Sequence, residues 1–189
     1  MEILSLAPKV NFWQDAEMKK WQSALAFAIL LVSGALMAPG VNAHQGVNLS
    51  ESDRTPARGP LLVDGTVSFA VRADLSRGER RGFRFQLETG DTLAVQLLIV
   101  DQPPENRLRS LALPRVTVTD PLGKVVRMVI NERTKFYEPY GGTNYLYLSR
   151  VEKRAVAGTY KIRMTGRSST PVETVVSVGY REVRGEVRD

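Results

Sequence analysis

Cysteine is absent from this chain, and histidine occurs once, at position 44. Disulfide frameworks, thiolate nucleophiles and four-ligand structural zinc sites are thereby excluded, and no Ser-His-Asp triad can coexist with a second imidazole site. Long apolar runs are almost as scarce. The one present, Ala24 to Met37, is about 14 residues long, short of the roughly 20 that a helix needs to cross a bilayer core. Acids are outnumbered, 20 Asp and Glu against 26 Lys and Arg, for a net charge of +6. Past residue 43 the bases are mostly arginine, which either offers planar bidentate donors to carboxylate, phosphate or sulfate or reflects Arg-rich codon usage.

What is there begins with an export signature. Lys19 and Lys20 follow Met18, the apolar run comes next, Pro39-Gly40 break its helix, and Val41-Asn42-Ala43 supplies the small residues a signal peptidase needs. A signal-peptide helix within residues 1–43 is expected. Phe12, Trp13, Asp15 and Glu17 precede Met18 and do not suit a signal peptide, so translation is expected to start at Met18. No Cys follows the run, which removes a lipid-modified N-terminal cysteine, and no Arg pair precedes it, so a twin-arginine route is not expected. The mature chain is expected to be soluble, periplasmic or extracellular, and to meet a membrane only through the signal segment before cleavage. Nucleic acid is not an expected partner, because basic charge alone is not a reading motif.

Residues 44–60 are polar, with two Pro and no periodicity, and read as a flexible leader. From residue 61 to 189 apolar residues alternate with polar ones at period two. The alternating sets are Val67, Phe69, Val71; Phe83, Phe85, Leu87; Leu93 to Ile99; Val116, Val118; Val126, Met128, Ile130; Tyr145, Tyr147; Tyr160, Ile162, Met164; and Val176, Val178, Tyr180. Turn chemistry separates them, as in Thr89-Gly90-Asp91 and Asp120-Pro121-Leu122-Gly123. Helix signals are confined to Pro104–Leu111, enough for a turn or two. Eight or nine short strands without crossover helices predict an all-β fold, an antiparallel two-sheet sandwich.

Phe83-Arg84-Phe85, Gly90-Asp91-Thr92-Leu93, Asp120-Pro121-Leu122-Gly123 and Gly158-Thr159-Tyr160, in that order, resemble the bacterial pre-peptidase C-terminal domains. These are jelly-roll-like β-sandwich modules that accompany secreted enzymes. The resemblance spans roughly Val63 to Gly166 and implies a jelly-roll-like sandwich that binds rather than catalyses. Leu111-Ala112-Leu113-Pro114 stands where the family often has an Asp-Leu-x-Leu pattern that helps bind calcium, so the resemblance carries no calcium site to this chain.

Four features are candidate sites. His44 would follow the cleavage point, but a copper brace needs a second imidazole; no metal and no cofactor is expected. The segment from Phe136 to Tyr147 holds four of the six tyrosines. There Tyr137 and Tyr140 offer apolar faces and Glu138 and Asn144 hydrogen bonds, a mixture suited to a sugar ring or a peptide. Tyr145 and Tyr147, at strand period, alternatively cover a core. Arg84, Arg115, Arg127, Lys161 and Arg163 take outward strand positions and would form a basic face if their strands share a sheet, with Arg77, Arg80 and Arg81 clustered in one loop. The acids show no spacing that identifies a catalytic pair. The expected function is an exported, non-enzymatic binding module of the envelope or secreted fraction, whose partner is an envelope protein or a surface glycan. A carbohydrate-binding module using the aromatic segment and a small hydrolase are the alternatives.

Overall fold

The computed structural model describes residues 44–189; the expected signal peptide and N-terminal extension lie outside the described residues. The alternating sets become strands because each puts one row of apolar side chains against a second sheet. They are β3 (Phe69–Asp74), β4 (Arg80–Leu87), β5 (Thr92–Val100), β6 (Arg115–Thr119), β7 (Val125–Arg127), β9 (Thr143–Arg154), β10 (Gly158–Thr165) and β11 (Glu173–Val178). One sheet places β3-β11-β5-β9 side by side and the other β4-β10-β6-β7. Counted one to eight along the chain, these strands run 1-8-3-6 and 2-7-4-5, the order of a jelly roll, with every neighbouring pair antiparallel.

Twelve strands are present among the described residues, not eight or nine, and the sheets are not purely antiparallel. The additions are β1 (Gln45–Asn48), β2 (Leu61–Leu62), β8 (Thr134–Glu138) and β12 (Val187–Arg188). β1 joins β3 in parallel and β2 joins β4 in parallel. These four are short or lie at a sheet margin, where part of each strand has nothing to pack against, so no alternation marks them.

The supposed flexible leader is packed instead. Gln45 and Leu49 donate their amides to the Ser68 and Arg72 carbonyls at 2.8 Å. Farther along, the chain lies across β4: the Gly82 amide donates to the Asp53 carbonyl at 2.8 Å and the Arg84 amide to the Pro60 carbonyl at 2.9 Å. This approach requires glycine, since a Cβ on Gly59 would stand 1.8 Å from the Gly82 carbonyl oxygen.

Phe69, Phe83, Phe85, Leu97, Ile99, Leu148, Tyr160 and Ile162 are fully buried between the sheets. A second, smaller apolar cluster lies on the other face of the β3-containing sheet and comprises Ala70, Leu98, Val100, Tyr145 and Val175, with Phe136 and Tyr147 against it. Pro104–Leu111 contributes a single 3-10 turn, Glu105–Arg107.

Candidate functional site

Parity places the cations. In β4, β10 and β6 the side chains of Phe83, Phe85, Tyr160, Ile162, Val116 and Val118 enter the core, so Arg84, Lys161, Arg163, Arg115 and the intervening threonines point outward. Registry aligns them across the sheet. One row reads Arg84, Lys161, Thr119, Val125 and the next Gly82, Arg163, Thr117, Arg127, while Arg80, Thr165 and Arg115 make a third. All five outward cations singled out in the sequence therefore share one face of one sheet. None of them is within 4.0 Å of a carboxylate among the described residues.

Residues 55–57 form a wall along this face. Thr55, Pro56 and Ala57 enclose with Arg84, Lys161 and Arg163 a groove of about 630 Å³, whose floor carries the Thr117, Thr119 and Thr159 hydroxyls. Arg84 is held there by a bond from Nη2 to the Gly59 carbonyl at 3.0 Å, while its buried Nε has no partner. The wall was missed because residues 44–60 show no periodicity; Gly59-Pro60 was the one local sign of a constrained turn.

The aromatic segment is a hairpin, β8 to β9. Tyr137 and Asn144 are cross-strand partners and both are exposed, with Tyr140 beyond them in the turn. Glu138 is occupied by its own turn, where Oε1 accepts the Tyr140 amide at 2.8 Å and Oε2 the Gly141 amide at 2.5 Å. Its carboxylate is thus a turn cap. Tyr145 and Tyr147 point to the outer apolar cluster, and the Arg150 guanidinium lies 4.0 Å from the Tyr147 ring centroid. The aromatic hairpin and the basic face belong to different sheets.

His44 lies half-buried beside the hairpin sheet, its Nδ1 bonded to the Ser68 hydroxyl. Burial pushes its pKa below the ordinary imidazole value, against the Glu138 and Glu182 carboxylates that raise it. No group of three or more His, Cys, Asp or Glu side chains is arranged to hold a metal ion among the described residues. Glu173 has its pKa raised, first by burial and then by Asp74. These two carboxylates face each other across β11 and β3, and neither lines the basic groove.

No protein-family model matches the sequence, and no curated protein matches it. Among solved structures the chain is similar to the pre-peptidase C-terminal domain of a collagenase from Bacillus anthracis, at 7% identity and a TM-score of 0.37, over 71% of this chain and 95% of that one. It is also similar to a periplasmic inhibitor of g-type lysozyme from Salmonella Typhimurium, at 11% identity and a TM-score of 0.34, over 71% of this chain and 97% of the other. A third similar structure is a β-porphyranase of glycoside hydrolase family 86 from Bacteroides plebeius, at 12% identity and a TM-score of 0.30; the match covers 65% of this chain and 22% of the enzyme. The family that the motif order resembles is therefore among the structural neighbours.

Proposed function

We propose that the protein is an exported, non-enzymatic binding module whose basic sheet face holds an anionic surface glycan. One observation carries this reading: five cations from four strands lie on one open face without a carboxylate partner among the described residues. Charges spread over a sheet in rows suit a repeating polymer, because each repeat meets the next row and the field of the whole face speeds encounter. The threonine hydroxyls between the rows add neutral hydrogen bonds. Export is supported by the sequence of residues 18–43. The absence of catalysis is supported by a lone histidine already bonded to Ser68.

The hairpin carries a second reading, a neutral sugar stacked on Tyr137 and Tyr140, which are 58% and 61% exposed. Salt and two variants separate them. Retention on an acidic polysaccharide should fall steeply between low and half-molar salt, because exposed charges are screened within about 8 Å at physiological ionic strength. The triple variant Arg115→Ala, Arg127→Ala, Lys161→Ala should lose retention, and Tyr137→Ala with Tyr140→Ala should keep it. Salt-resistant binding that disappears in the tyrosine variant would assign the hairpin. Retention only by acidic proteins would replace the glycan with a protein partner.

A further inference from the structure

Beside the basic face, at the turn between β3 and β4, lies a second groove of about 670 Å³ that shares Thr55 and Arg163 with the first. Arg54, Arg77, Arg80, Arg81 and Arg163 line it. Arg81 is the unusual member. It has the strand parity of Phe83 and Phe85, and it is 8% exposed although it is always charged. Its Nη1 donates to the Arg80 carbonyl at 2.9 Å, while its Nε is sealed from solvent and has no partner.

A buried guanidinium without a counter-ion is costly, and native structures normally pair it. This chain provides no such pair among the described residues. Arg77 Nε spends its bond on the Arg167 carbonyl at 3.3 Å and Arg54 Nε on the Glu51 carbonyl at 3.2 Å. Of the two acids in the groove, Glu79 caps its own turn by accepting the Ser76 amide at 2.7 Å. The guanidinium groups come from four segments: Arg54 from its loop, Arg77 from the turn before β4, Arg80 and Arg81 from β4, and Arg163 from β10. Together they carry many more N–H donors than the roughly four acceptor sites of one carboxylate.

We infer that this groove is an oxyanion site for a phosphate monoester group. Such a group is close to doubly charged at neutral pH and presents three terminal oxygens to planar forks. The site adjoins the face proposed above but stands on Arg81, so either can fail without the other.

The test titrates the protein with glycerol phosphate, inorganic phosphate and acetate at constant ionic strength, followed by calorimetry. Glycerol phosphate should bind saturably with one site per chain, and acetate at least about tenfold more weakly. Arg81→Lys, which keeps the charge but loses the fork, should weaken glycerol phosphate by roughly tenfold. Arg127→Ala, on the face but outside the groove, should leave that affinity within about twofold while reducing polysaccharide retention. Should Arg81→Lys fail to fold, the exposed Arg77→Ala substitution serves, with a loss of about threefold or more expected. Absence of saturable binding, equal binding of acetate, binding of inorganic phosphate alone, or an unchanged affinity in the arginine variant would each overturn the proposal.

Discussion

Tyr160 is fixed at both ends of its side chain. Its ring stacks on Phe85 with centroids 5.2 Å apart, and its hydroxyl accepts the Val156 amide at 2.9 Å and donates to the Val156 carbonyl at 3.0 Å. Tyr160→Phe keeps the stack and strips both bonds, so a loss of about 1–2 kcal/mol is expected in urea denaturation, with the slope unchanged. His44 gives a pH signature. Its proton is held less tightly folded than unfolded, so just below the ordinary imidazole value the unfolded chain binds more protons and stability falls as pH drops. Melting temperatures of wild type and His44→Gln, compared from about pH 7.5 to about pH 5, should therefore show a shallower acid-side decline in the variant. An equal decline in both would place the sensitivity on other groups.

At the scale of elements, the strap formed by residues 53–60 depends on two glycines meeting. A methyl at Gly59 collides with backbone that belongs to a central strand, not with a movable side chain. Gly59→Ala should cost roughly 1–3 kcal/mol and open the 53–60 segment to limited proteolysis, while Gly78→Ala, where nothing lies within 4 Å, should leave that segment protected. The eight jelly-roll strands were legible because each lies in or beside an alternation that puts every second residue in a core between sheets. The turn at Asp120–Gly123 was legible too: Asp120 Oδ1 accepts the Leu122 amide at 3.0 Å, the bond that defines an Asx turn, and the Lys124 amide at 2.8 Å besides. β1, β8 and β12 were not, since a margin strand shows one covered face at best, and β2 was not because two residues are too few to alternate. Parity gave the outward direction of Arg84 or Lys161, but their adjacency depends on β4 meeting β10 from far along the chain, and no local pattern encodes that.

Over the described residues, the folded unit includes His44 and β1, so its boundary is not Leu61. A chain starting at Leu61 loses the β1 bonds to β3, the strap over Gly82 and the bond from the Gly185 amide to Gln45 Oε1 at 2.9 Å. A chain starting at His44 should melt roughly 5–10 °C higher, the equivalent of about 2–3 kcal/mol for a domain of this size. Equal melting temperatures would show that residues 44–60 decorate the sandwich without supporting it.

The outermost strands of the basic sheet are β7, three residues long, and β12, two residues long. A strand edge invites a second chain to continue the hydrogen-bond ladder, and edges this short offer too few rungs for that. Arg127 lies on β7 with no carboxylate within 4.0 Å among the described residues, so two molecules meeting at that edge bring like charges together. The side-by-side crowding of copies along a polymer should therefore proceed without the basic sheets fusing at these edges.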